Sequence, residues 1–292
     1  MSVIDRPLAA RRRWRIPGGV PLVVALAMGF MALMFVVMIF AQLIQPYAFE
    51  HIDLMNRMTP PLPLEGADWR HPLGTDKLGR DLFSRLLIGA QTSMLLALLG
   101  TCIGAVLGIA LGFFAAHRGG LLDEAIMTLV DFQAAMPWFI IALAILAFMG
   151  NSMLIFILIM GLYGWEAYAR VTRGLVLGAR EQGYALAVRG LGAKPRWIYL
   201  RHVLPNISGP LLVQLTINFP NTILFETSLS FLGLGIRPPM TSLGQMLGEG
   251  RDYLINAWWL AVIPGAVIFF TTLSMSVLGD WLRARLDPSL EN

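Results

Sequence analysis

Six apolar runs, each close to the roughly 20 residues that cross a hydrocarbon core as a helix, constrain this 292-residue chain more than any other feature. They cover residues 20–44, 93–116, 126–149, 153–171, 207–232 and 258–278. Inside hydrocarbon every backbone N–H and C=O must be satisfied within the chain, and a helix does this by itself. The expected class is therefore all-α: a polytopic membrane protein with six transmembrane helices. Composition agrees, with 57% hydrophobic and only 14% charged residues, whereas soluble domains carry about a quarter charged. Asp131 and Pro137 weaken the third run. Arg11, Arg12, Arg13 and Arg15 precede the first, as in a signal peptide. That run is too long for one and no small-x-small site follows, so an uncleaved anchor is expected.

The basic residues set the orientation. With the N-terminus inside, 15 of the 22 Lys and Arg residues fall on the cytoplasmic side, as the positive-inside bias requires. Both termini are then cytoplasmic. The chain divides into a cytoplasmic stretch 1–19, a first helix 20–44, an outer segment 45–91, a core of five further helices over 92–282, and a cytoplasmic tail 283–292. Pro60, Pro61 and Pro63 make the outer segment partly irregular. Trp69, Arg251, Asp252 and Tyr253 in the outer loops fit either plain connection or a docking surface. The basic pI of about 9.6 follows from the same bias and needs no nucleic acid. The single Cys102 allows no internal disulfide and reads as packing. His51, His71, His117 and His202 show no metal spacing, so no cofactor is expected on this chain.

Residues 180–206 are the most organised polar stretch. They carry five Lys or Arg and one acid, and lie between the fourth and fifth runs. Residues 184–188 read as a short helix, which Gly190, Gly192 and Pro195 break. Trp197, Ile198, Leu200 and Val203 recur at helical spacing, and Pro205 ends that second helix or opens the next span. Two short helices at a Gly-containing turn make a compact protrusion. It can dock on a protein or rest on anionic headgroups, and the residues alone leave both open.

Other polar residues stand within the runs. Gln214, Asn218, Asn221, Thr222 and Glu226 follow helical spacing, and a polar stripe in a span should face another helix or a wet path. A translocation path and interhelical hydrogen bonding both fit. Asp131 and Gln133 are placed to meet Arg170 and Arg173 in a structural tie. Gly100, Gly104, Gly108 and Gly112 form a small-residue stripe for close packing against the third span, the fifth span or a partner. No Walker pattern follows these glycines or occurs elsewhere, so the chain has no ATP-hydrolysing site of its own.

Several motifs in order carry a resemblance. The stretch 71–85, HPLGTDKLGRDLFSR, precedes the second run. SLSFLGLG at 228–235 and Pro238-Pro239 follow the fifth. Gly250-Arg251-Asp252-Tyr253, Gly279-Asp280 and Leu286-Asp287-Pro288 flank the sixth. The stretch 186–206 has Leu186-Ala187-Val188, then Gly192, then Val203-Leu204-Pro205-Asn206. This set resembles the permeases of binding-protein-dependent ABC importers of the dipeptide, oligopeptide and nickel type, and among them the C-type partner of a B/C heterodimer. The 186–206 stretch is similar to their EAA loop, with Leu186 where the family has glutamate and Val188 where it has a second alanine.

The resemblance implies a fold and a role. The fold is the six-helix permease core with a cytoplasmic coupling helix between helices 4 and 5. Tyr184, Ala187, Arg189, Gly192, Ala193, Leu204 and Pro205 would form the loop that docks on the ATPase. Gln214, Asn218, Asn221, Thr222 and Glu226 would line the path. The implied partners are a homologous permease, two ATPase subunits holding ATP and Mg, an extracytoplasmic substrate-binding protein, and lipid of a bacterial inner membrane. Di- or oligopeptides are the implied cargo. The competing class, a self-sufficient secondary transporter or channel, would call for internal repeats, helices broken at the midplane and paired ionisable residues. A membrane enzyme would show clustered His, Asp or Glu.

Overall fold

The computed structural model describes residues 19–180, 182 and 195–286. Among them helices are the only regular elements, apart from isolated bridges such as Thr75 with Asp81. In chain order they are α1 (Leu22–Ile44), α2 (Leu82–Arg118), α3 (Gly120–Ala135), α4 (Trp138–Met149), α5 (Met153–Gly161), α6 (Trp165–Arg180), α7 (Pro195–Ile198), α8 (Leu204–Phe231), α9 (Leu243–Arg251) and α10 (Trp259–Leu286). A single 3₁₀ turn, Leu54–Asn56, interrupts the segment between α1 and α2.

Four helical stretches are long and apolar enough to cross a membrane: Leu22–Ile44, Leu82–Arg118, Met153–Arg180 and Trp259–Leu286. A fifth is added if α3 and α4 are taken as one broken span. The run at 126–149 is therefore not a straight helix. It bends by 84° between α3 and α4. Pro137 forces the residue before it out of the α region, and Met136 sits at φ −80°, ψ 139°. α8 has the length of a span, but Gln214, Asn218, Asn221 and Glu226 lower its mean hydropathy, and it is not among the four.

α2 is longer than its apolar run. It begins at Leu82, where the Asp81 side chain accepts from the Ser84 backbone N–H, a cap that relieves one of the unpaired donors at a helix start. Its 37 residues extend about 55 Å at 1.5 Å per residue, well beyond a hydrocarbon core. The first turns therefore belong to the polar cap formed by residues 45–81.

Packing is organised around α2. One core joins Met31 and Met34 of α1 to Met94 of α2, Ile223 of α8, Leu243 of α9 and Ile268 of α10. A second joins Leu96 to Leu146, Phe156, Met160 and Leu229. The glycine stripe on α2 meets α5 and α6, rather than the third span, fifth span or partner that the sequence suggested. A Cβ at Gly100 would stand 2.8 Å from the Met160 Cβ, one at Gly112 2.8 Å from the Thr172 Cβ, and one at Gly108 2.7 Å from the Tyr168 Cβ. No real side chain tolerates such distances, so the two backbones touch because the glycines leave room. Cys102, expected as packing, is exposed on α2. Leu26, Leu43, Phe148, Phe269 and other large apolar residues are exposed as well, a surface suited to lipid or another subunit and not to water.

Candidate coupling and transport sites

The described part of the 180–206 segment is fixed at one end of the bundle, the base. α7 runs through a π-helical stretch, Tyr199–Val203, directly into α8. Pro205 stands in the first turn of α8, where its missing N–H costs nothing; it opens the span and does not close the preceding helix. Ala116, Val176, Ile198, Val203, Ile207 and Leu211 form one buried cluster, with Leu204 packed against it. The Tyr199 hydroxyl lies 3.1 Å from His117 Nδ1, and Arg180 donates to the Ala116 carbonyl at 2.6 Å. α2, α6 and the entry to α8 are thereby tied at one point. Leu204 is half-buried and Pro205 exposed. Tyr184, Ala187, Arg189, Gly192 and Ala193 lie outside the described residues.

The five polar residues of α8 do not share one face. Asn218, Thr222 and Glu226 are buried, Gln214 is half-buried, and Asn221 is exposed. The reason is helical geometry: steps of four keep 218, 222 and 226 close to one line, while 221 is rotated about 100° from 222. Glu226 has no exposed surface. Ser93 of α2 donates to its Oε2 at 3.0 Å and Ser230 to its Oε1 at 2.7 Å. The same Ser93 hydroxyl accepts from the Leu243 N–H at 3.1 Å. One carboxyl therefore holds α2, α8 and the start of α9 together. Thr101 donates to Thr222 at 3.3 Å, and Asn218 donates to the Gly164 carbonyl at 3.4 Å where α5 gives way to α6. These three residues make ties inside the chain, and only Asn221 and Gln214 reach its surface.

At the opposite end, the cap holds an ion cluster that no local pattern announced. Arg85 and Asp76 are each 3% exposed. Arg85 donates to Asp76 at 2.6 Å and to Glu249 of α9 at 3.2 Å. Arg80 donates to the same two carboxylates at 2.7 and 3.5 Å. The Asp76 carboxylate also accepts from the Leu78 and Arg80 backbone N–H groups. Beside it, His71 Nδ1 lies 2.9 Å from Asp81, the residue that caps α2. Gly74 and Gly79 have φ of +83° and +74°, and a Cβ at either would strike the backbone of Thr59 or Asp53. The 71–85 motif is thus a folded clasp. Charges crowd at 76–85 and 249–252 in a chain so poor in them, but nothing in that crowding pairs one stretch with the other.

The expected tie at the third and fourth runs forms with different partners. Arg170 pairs with Asp131 at 2.9 Å, but Arg173 pairs with Asp123 at 2.5 Å, about two turns nearer the start of α3. Gln133 accepts instead from the Trp165 indole at 2.7 Å. Among the described residues no group of three or more His, Cys, Asp or Glu could hold a metal ion.

Residues 108–292 match the family described as "Binding-protein-dependent transport system inner membrane component". The chain belongs to this family. Its members are membrane-embedded permease subunits of ABC importers, and ATP hydrolysis resides on separate subunits. This chain is accordingly such a permease subunit and not itself the ATPase. It is 38% identical over 263 residues to the di/tripeptide transport system permease protein DppC of Pseudomonas aeruginosa, covering 90% of this chain and 87% of that one. It is 35% identical over 280 residues to a probable D,D-dipeptide transport system permease protein, DdpC, of Escherichia coli, covering 96% and 91%. A third relative is the glutathione transport system permease protein GsiD of Pectobacterium atrosepticum, 35% identical over 270 residues, covering 92% and 88%. The fold is similar to a chain of the inward-facing MetNI methionine ABC transporter, with a TM-score of 0.55 and 20% identity over 70% of this chain and 96% of that one. The break between α3 and α4 is the kind of feature a secondary transporter shows, yet here it sits in a binding-protein-dependent permease.

Proposed function

We propose that this permease forms half of a translocation path for short peptides, beside a homologous permease in a bacterial inner membrane. Similarity to di/tripeptide and D,D-dipeptide permeases over nine-tenths of the chain supports that cargo class. Six spans cross the membrane: α1, α2, the α3–α4 pair, the α5–α6 pair, α8 and α10. The base, with both termini, faces the cytoplasm, and the cap formed by 45–81 and α9 faces outward to meet a substrate-binding protein. Two ATPase subunits bind ATP and Mg, and the segment from Tyr184 to Pro205 docks on them.

The observation that carries this reading is the cluster at the base. Val203, Ile207 and Leu211 continue from the segment into α8 and are packed on Ala116 and Val176. A close-packed junction transmits displacement instead of absorbing it, so a push on the segment moves α2, α6 and α8 together. Among the polar residues of α8, the exposure of Asn221 and the partial exposure of Gln214 support a place on the path for those two. The hydrogen bonds of Asn218, Thr222 and Glu226 support a role in holding the helices that line it.

The test is reconstitution of the full complex. Replacing Ala187 and Gly192 together by leucine should abolish peptide-stimulated ATP hydrolysis and uptake while the two permeases still co-purify. Normal coupling in that double variant would remove the docking role.

A further inference from the structure

A cleft of about 430 Å³ opens at the cap between the end of α8 and the last turn of α9. That volume lies in the range of small-molecule sites. Its acids are already committed. Glu249 is engaged by Arg80, Arg85 and the Gln245 amide, and Asp252 pairs with Arg251 at 3.3 Å. Arg251 also lies over the Phe231 ring, 5.3 Å from its centre. Its other cations are not committed. Lys77 and Arg237 line the cleft and make no ion pair among the described residues. On the cleft wall Gln245 carries a buried side-chain oxygen with no hydrogen-bond partner.

Two spare cations and an unused acceptor lining one cleft describe a ligand by its chemistry. The ligand brings a carboxylate for Lys77 and Arg237 and an N–H for Gln245. Unpaired buried acceptors are costly and rare, and a ligand N–H relieves one. An arginine and a lysine together hold a carboxylate through charge-assisted hydrogen bonds, the stronger kind. A short peptide with a free C-terminus has both groups within a few bonds.

We propose that this cleft binds the C-terminal carboxylate and an adjacent N–H of a short peptide, as a receiving site at the mouth of the path. This deepens the peptide reading given above and rests on it. An acidic patch of a docked binding protein would meet the same cations, and the experiment separates the two.

The full permease–ATPase complex, without binding protein, is titrated with trialanine and with its C-terminal amide. Trialanine should bind about tenfold more tightly than the amide. Combined Lys77→Gln and Arg237→Gln substitution should erase that difference, and Arg237→Lys, which keeps the charge, should retain most of it. No detectable binding of trialanine, equal binding of acid and amide, or an unchanged difference in the double variant overturns the proposal. So does a double variant that loses only salt-sensitive association with the binding protein, since the cleft then serves protein docking. Stimulation of ATP hydrolysis by peptide-loaded binding protein, measured on the unaltered complex, tests the transport reading separately. Its absence would sink that reading, whereas the acid–amide comparison bears on the cleft alone.

Discussion

Glu226 occupies a position where an isolated charge is most costly, and its surroundings are hydroxyl groups from two helices. Its substitution separates a structural tie from a path residue. Glu226→Leu leaves the Ser93 and Ser230 hydroxyls unpaired in a buried place, which should cost about 1–3 kcal/mol. Unfolding of the purified protein in increasing dodecyl sulfate reads that loss. Glu226→Gln, which still accepts and fills the same volume, should stay within about 1 kcal/mol of the parent. A glutamine variant as unstable as the leucine one contradicts the tie. The clasp at the cap makes a second case. Arg85→Met removes one of the two arginines that Asp76 and Glu249 share, and breaking one side of a buried pair costs about 3–5 kcal/mol. Because Arg80 still reaches both acids, the loss should fall toward the lower end of that range. Limited proteolysis between residues 45 and 81 should accelerate in the variant, and an unchanged cleavage rate would argue that the pair holds nothing in place.

Among the elements, the contact of α2 with α5 and α6 depends on four glycines in register. At Gly108 an added Cβ meets the Tyr168 Cβ and the Trp165 backbone, neither of which can swing away. Gly108→Val should therefore separate the helices and destabilise the protein by about 1–3 kcal/mol or more, read as a lower thermal midpoint in detergent. The same change at Gly174 or Gly178, where nothing stands within 4 Å, should have a much smaller effect. Equal losses at all three sites would mean that helix propensity and not packing is being measured. The stripe itself was legible as a four-residue spacing of small residues, but its partner was not, because spacing names a face and not what covers it. The helical runs were legible for the reason that hydrocarbon admits few alternatives. Their ends were less so. Hydropathy marks the apolar run, and α2 begins well before it because the Asp81 carboxylate caps a helix start at the Ser84 N–H inside the cap. Pro137 weakened the third run as a sequence reading, and in the structure the helix breaks there. The clasp was illegible because Arg85 and Glu249 are 164 positions apart, and no local pattern relates residues at that separation. Glu226 was visible as a polar residue in a span. That it faces Ser93 inside the chain is decided by tertiary packing.

At the scale of the whole molecule, two ends with different chemistry are joined by α2, α8 and α10. The base is an apolar knot fed by the basic segment 180–206. The cap is an ionic clasp with an open cleft beside it. On the proposed function, force enters at the base, the packed bundle carries it, and the cap receives cargo. The central claim is that force enters through the 184–205 segment from a nucleotide-hydrolysing neighbour. Site-specific cross-linking tests it most directly. With Cys102 replaced by serine, a single cysteine is introduced at Gly192 or, as the opposite-face control, at Arg237, and each complex is treated with a short bifunctional thiol reagent in membranes. The cysteine at 192 should link to an ATPase subunit with a yield that changes when ATP binds, and the one at 237 should never do so. A link from 192 to the binding protein, or no protein link at all while transport continues, would contradict the account.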